Sequence, residues 1–345
     1  MSWGHRRRIS VCAALAGVVV AASGCTSGAR PSDDGMTPAA RTYLTKALDI
    51  MRDGSIFRHT VDWDTLRRKA FAQAHGAQKP ADTYGAIEVA LASLGDHHSR
   101  FEDPEEAKQT MGASATSVDG PEGRSLKHGI GYVSLPGVKG SQQMYDAYVR
   151  QGRAAVAEAD GTEGKGACGW VVDLRAETGG GMDPVLATVG PILGDGAVGA
   201  FVDADGKKSL WSIKGGAPYV DGKSNGWNTD VPPIGRSNPP VAVLTGPRTA
   251  SAGEAVVVAF HGRPDTRFFG GKTDGVPTGN ESHPLSDGAE LILTGAKEAD
   301  RTGHIYDGPI APDEEYPQDR NPAPGADDTA LAAAQKWLLG QAACR

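Results

Sequence analysis

Between residues 38 and 99 the apolar positions recur with a helical period. Leu44, Ala47, Leu48 and Met51 fall at i, i+3, i+4 and i+7, one stripe of an amphipathic helix. Asp62 or Asp64 is placed to cap a second helix running to about Ala74. Thr83 is placed to cap a third, with Ile87, Ala90, Leu91 and Leu94 on one face and Gly95 as terminator. Together these predict a small helical bundle over residues 38–101. Residues 102–127 are polar, rich in Gly, Ser and Asp, and read as a linker. From His128 the period changes. Ile130–Leu135 reads as a strand, and Trp170–Leu174 and Val241–Leu244 are short, nearly continuous apolar runs, the pattern of strands buried on both faces. Helical stretches follow them at Met144–Ala159, from about Pro184, and at Ala252–Phe260; Arg267–Gly270 and Leu291–Leu293 read as further strands, and Thr329–Ala343 as a last helix. Strand–loop–helix repetition predicts an α/β layered core over residues 128–345 with crossover connections. The stretch 205–239, with many Gly, Pro, Asn and Lys, reads as a surface insertion.

The first residues read as an address. Arg6-Arg7-Arg8 precedes the apolar run Ile9–Ala22, shorter than the ~20 residues that span a bilayer, and small residues follow. Ala22-Ser23-Gly24-Cys25 resembles the lipobox of bacterial lipoproteins, with Ala22 where Leu is usual. The expectation is a signal peptide over residues 1–24, a lipid on Cys25, a tether over 25–37, and a protein held outside the cytoplasm on the bacterial cell membrane. Cys12 would leave with the signal. Cys168 and Cys344 then remain in an oxidising compartment, either as a disulfide or as two buried thiols. A net charge of −7 argues against a nucleic-acid partner, which needs clustered Lys and Arg. The abundance of glycine (47) and proline (22) suits a loop-rich α/β protein.

Three segments carry candidate chemistry. Ser251, in Thr249-Ala250-Ser251-Ala252-Gly253-Glu254, stands where a buried strand turns into an apolar helix. There its hydroxyl is exposed at the sheet edge, and main-chain N–H groups at the helix start favour a developing negative charge. The same position also suits a plain helix cap. Gly179-Gly180-Gly181, after the strand that ends at Leu174, allow close approach of main-chain N–H groups to an anion, or make a flexible turn. Asp96-His97-His98-Ser99 ends the helical region. Adjacent histidines do not readily share one ion and no H-E-x-x-H is present, so neither metal nor organic cofactor is expected.

Taken together, Leu94–Phe101, Asp173–Gly180, Ala250–Glu254 and Gly308–Asp313 resemble, in order, four motifs of the tail-specific (C-terminal processing) serine peptidases, a group that includes the tricorn core protease. The resemblance spans about residues 40–318. It implies a crotonase-like, ClpP-like α/β core behind a helical N-terminal part, a peptide or protein substrate, Ser251 as nucleophile, and an oxyanion hole from Ala252 N–H and a glycine, Gly179 or Gly180. Departures from the pattern are informative. Glu177 replaces a common Asn, and the 102–127 stretch is too short for the family's PDZ domain. Where processing members carry a catalytic Lys, this chain has Val276. The tricorn-like branch instead pairs Ser with a His of the helical region. His98 matches that base, and Asp307 is the first candidate for an orienting acid, ahead of Glu298 and Asp300. Lys272 is the rival base. A non-catalytic lipoprotein that binds a lipophilic ligand or a peptide on the same fold is the rival function.

Overall fold

The computed structural model describes residues 34–345 apart from 113–119, 162–165, 225, 230 and 318–327, so the expected signal and Cys25 lie outside the described residues. The chain opens with helices α1 (Pro38–Gly54), α2 (Trp63–Gln73) and α3 (Tyr84–Ala92). Thr37 caps α1 by accepting from Ala40 N–H at 3.3 Å, and Asp62, not Asp64, caps α2 through Thr65 N–H at 3.0 Å. Thr83 does not cap α3 with its side chain; its hydroxyl donates to Pro80 C=O at 2.7 Å in the preceding turn. Then come β1 (Arg100–Glu102), α4 (Pro104–Gly112), β2 (Glu122–Leu126), β3 (Ile130–Ser134), α5 (Gln142–Asp160), β4 (Gly169–Asp173) and α6 (Met182–Leu193). The second half holds β5 (Gly196–Asp203), β6 (Lys208–Lys214), β7 (Ala217–Val220), β8 (Lys223–Ser224), β9 (Val241–Thr245) and α7 (Ala252–Phe260). It ends with β10 (Thr266–Gly270), β11 (Thr278–Pro284), β12 (Glu290–Asp300), β13 (Glu314–Glu315) and α8 (Thr329–Leu339).

Ile130–Leu135 and the two apolar runs do form adjacent strands. One sheet has the order β13-β10-β9-β4-β3-β2, parallel except for β2. Its strands alternate strictly. Trp170, Val172, Val241 and Val243 face α5, α6 and α7, while Val171, Ala242 and Leu244 face α8. The second sheet is antiparallel, β1-β12-β5-β6-β7-β8, with β11 also on β12. Its Val198, Trp211 and Ile213 share the core of α6 and α7, so these helices lie between the sheets. This is the expected α/β core, with helices on both faces of its parallel sheet.

Two expectations of organisation change. The helices α1–α3 are not a separate bundle: Leu44, Leu48, Met51 and Ile87 pack with Leu285, Leu291 and Leu293 of the β11–β12 hairpin. Three short helices cannot bury their own apolar stripes and borrow a sheet face to do it. Residues 34–345 accordingly form one compact unit. The expected linker contains α4 and the edge strand β2, and the expected surface insertion contains β6, β7 and β8.

Cys168 and Cys344 are joined in a disulfide, which fastens the turn after α8 to the start of β4 across 176 residues of sequence. A second fastening serves the same helix. Arg175 bridges Asp173 at 2.6 Å and Asp328, the cap of α8, at 2.8 Å.

Candidate active site

The strand ends of the parallel sheet position the site. The loop after β9 is fixed from beneath: Thr249, fully buried, donates its hydroxyl to Leu174 C=O at 2.9 Å, and Ala250 N–H donates to Glu177 C=O at 3.0 Å. Ser251 follows with φ 53° and ψ −110°, a backbone conformation that non-glycine residues rarely adopt. Such strain persists only where surrounding contacts over-determine it. Here the main contributor is Glu254. Its Oε2 accepts from Ser251 N–H at 3.0 Å and Val276 N–H at 2.9 Å, and its Oε1 from Thr273 Oγ1 at 2.6 Å and Gly275 N–H at 2.9 Å. One buried carboxylate thus holds the Ser251 turn and the 273–276 loop together.

Ser251 and Ala252 open into a cleft of about 600 Å³ that is also lined by His98, Gly179, Gly180, Val276 and Glu298. The glycine loop crosses the chain at Val138. A Cβ on Gly180 (φ 133°) would lie 1.9 Å from Val138 C=O, and one on Gly179 (φ 94°) would lie 3.2 Å from Ser251 Cβ. The two glycines differ as donors. Gly179 N–H is given to Glu177 Oε2 at 3.1 Å. Gly180 and Ala252 N–H have no acceptor among the described residues, and both residues line the cleft. The cleft-lining main-chain N–H groups without a partner among the described residues are therefore those of Gly180 and Ala252, while that of Gly179 is taken by Glu177.

His98 arrives from the turn between α3 and β1. Asp96 holds that turn by accepting from His98 N–H at 3.0 Å and Ser99 Oγ at 2.9 Å. The imidazole Nδ1 is 2.7 Å from Thr278 Oγ1 on β11, and Asn280 Nδ2 donates to His98 C=O at 3.1 Å. Burial, and then the positive charge of Arg100, hold the His98 imidazole below its ordinary 6.5.

The acid expected on His98 is not there. Asp307 is 78% exposed and bound to Lys297 Nζ at 2.7 Å, away from the cleft. Asp300 spends its oxygens on Thr302, His304 and Tyr306 in the turn after β12. The group that meets Nδ1 is the hydroxyl of Thr278, which no motif marked. Lys272 is 62% exposed, with Glu315 at 3.8 Å as its partner. Val276, in the place of the family's Lys, presents an apolar wall.

Glu177 is the unexpected neighbour. It is fully buried beneath the Ser251 turn, and its Oε1 has no partner among the described residues. Burial pushes its carboxyl up to about 8, against the N–H groups of Gly179 and Gly253, which favour the charged form. The sign follows from linkage. An acid raised on folding contributes stability that is complete below its unfolded value and is lost as pH climbs through the folded one. Glu177→Gln keeps the shape and one acceptor oxygen but cannot ionise. It is expected to raise the melting temperature at pH 8–9 and to change it little near pH 4. An unchanged difference between wild type and variant across that range counts against a buried, raised Glu177.

Among known proteins, the model of peptidase family S41 matches residues 129–316. The nisin-resistance protein of Lactococcus lactis subsp. lactis is 27% identical over 278 residues, covering 80% of this chain and 83% of that protein. Among solved structures, a lipoprotein from Streptococcus agalactiae superposes with a TM-score of 0.72 at 23% identity, covering 88% of this chain and 97% of that one. The photosystem II D1 C-terminal processing protease superposes with a TM-score of 0.59 at 17% identity, covering 89% and 99%.

Proposed function

Because the chain belongs to peptidase family S41, we propose that it is an exported, lipid-anchored serine endopeptidase of the tail-specific kind with Ser251 as nucleophile and His98 as general base. The observation that carries this reading is the meeting, in one cleft, of a strained serine turn, two unclaimed main-chain donors and a half-buried histidine. With Nδ1–H donated to Thr278 Oγ1, Nε2 is the nitrogen left to accept a proton. In this mechanism Ser251 Oγ attacks a peptide carbonyl and His98 takes its proton. Gly180 and Ala252 N–H receive the oxyanion, and the imidazolium then protonates the leaving amine. Thr278 fixes the ring where other enzymes use a carboxylate. No step calls for a metal or an organic cofactor.

A fluorophosphonate probe is expected to label wild-type protein at Ser251 and to leave Ser251→Ala unlabelled. A folded wild-type protein that is neither labelled nor cleaves any peptide supports the rival reading, a binding lipoprotein. Resistance to nisin, for which one relative is named, is one phenotype to score. The anchor rests on the Ala22–Cys25 segment. Cys25→Ser is expected to move the protein out of the membrane fraction, and retention there at wild-type levels counts against lipidation.

A further inference from the structure

The cleft has an acidic group, Glu298, that the mechanism above leaves idle. Glu298 lies on β12, directly across from Phe201 on β5, and its main chain is fixed by Pro277 and Tyr306. Its side chain lines the cleft but is only 1% exposed, and Oε2 has no hydrogen-bond partner among the described residues. The charges that act on it are the carboxyls of Glu254 and Glu177; no cation is among them. A buried carboxyl in this setting is ordinarily met by Arg, Lys or several N–H donors. Among the described residues none of these meets Oε2. Phe201, its cross-strand neighbour, and Ala252 and Ala255 are apolar members of the same cleft lining.

Apolar lining together with a buried carboxyl oxygen that has no partner among the described residues is complementary to an aliphatic stem that ends in a cation. We propose that Glu298 is the specificity residue of the cleft and selects a lysine or arginine side chain next to the bond that Ser251 attacks. The inference rests on the peptidase reading and adds a substrate class to it. Burial and the neighbouring carboxyls of Glu254 and Glu177 push the Glu298 carboxyl well above the usual carboxylate range, so a substrate cation would enter in place of its proton. Glu298 does not act on the reacting atoms in this scheme. Its effect is on which substrates bind productively.

The test uses two internally quenched peptides that differ only by lysine or norleucine beside the cleavage site, which mass spectrometry of a digested peptide pool defines. The wild type is expected to favour lysine by roughly 10–100-fold in kcat/KM, the range of one charge-assisted contact, chiefly through KM. In E298Q the ratio is expected to fall to near one. The ratio is insensitive to a partly misfolded preparation, and the wild-type preference is an arm independent of any variant. Cleavage without a preference for lysine, or a lysine preference that survives in E298Q, overturns this inference alone. Absence of both cleavage and fluorophosphonate labelling in the wild type overturns the peptidase reading, and this inference with it.

Discussion

Peptide hydrolysis is expected to fall by on the order of 10⁶-fold in both Ser251→Ala and His98→Ala, and by no more in the double variant. Nucleophile and base act as a unit, so removing either removes the whole of their joint effect. The residual rate would come from Gly180, Ala252 and substrate binding. The pH profile identifies the base. His98 works only while neutral, and burial with Arg100 holds its proton affinity below the ordinary histidine value. Log kcat/KM is therefore expected to be flat above neutrality and to fall with unit slope only below pH 6.5. A Lys base would give a limb of the same sign displaced to higher pH, with activity still rising on the alkaline side. Lys272→Ala is expected to retain activity because the side chain is on the surface, paired with Glu315. Thr278→Val removes the hydroxyl on Nδ1 and is expected to lower kcat more than it raises KM. Steady-state assays from pH 5 to 9 on these variants decide the matter. An inactive but folded Lys272→Ala beside an active His98→Ala would restore a Ser–Lys mechanism.

How far the chain can be read before it folds depends on where each element gets its stability. β4 and β9 are buried on both faces, so their apolar runs are unbroken and legible. β6 has only Trp211 and Ile213 buried, among exposed Lys208, Leu210 and Lys214 and half-buried Ser209 and Ser212, so its alternation is too sparse to separate from loop. β2 (Glu122–Leu126) is held by main-chain pairing to β3 and carries almost no apolar signal at all. The site divides in the same way. Ser251 and the glycines stand on a strand-to-helix turn and a strand end, where local sequence dictates geometry. The partner of His98 is 180 residues away on β11, a strand of the same sheet as β1, and only the register of β11 on β12 brings Thr278 there. Asp307 is marked only by its order along the chain, beside Gly308. Order does not report direction, and the strand end turns that carboxylate to Lys297 and solvent.

The same limit hides Glu254, which motif matching records but does not explain. Four donors converge on its carboxylate from two loops. In Glu254→Ala all four lose their acceptor inside the protein, and a buried unsatisfied donor costs about 1–3 kcal/mol. The contributions overlap, so a total destabilisation of ~3–5 kcal/mol is expected, the upper end of single-site effects. Hydrolysis is expected to fail before unfolding does. Ser251 cannot hold a positive φ once its N–H and the 273–276 loop are released. Glu254→Gln separates charge from shape. It fits the same space, but its NH₂ must face donors on one side or the other, so it too is expected to destabilise, though less than Ala. The contrast with Glu177 is the discriminating result. The two buried glutamates flank one turn, yet Glu177 has an oxygen without a partner and Glu254 has none to spare. Burial raises both carboxyls, but at Glu254 four donors oppose the shift and are mismatched by an amide, so neutralising Glu177 stabilises at alkaline pH while Glu254→Gln destabilises. Urea unfolding of the two Gln variants at pH 8 reads both signs from the shift in midpoint at constant slope. Shifts of the same sign would mean that burial alone, and not the pattern of donors, governs how this turn is held.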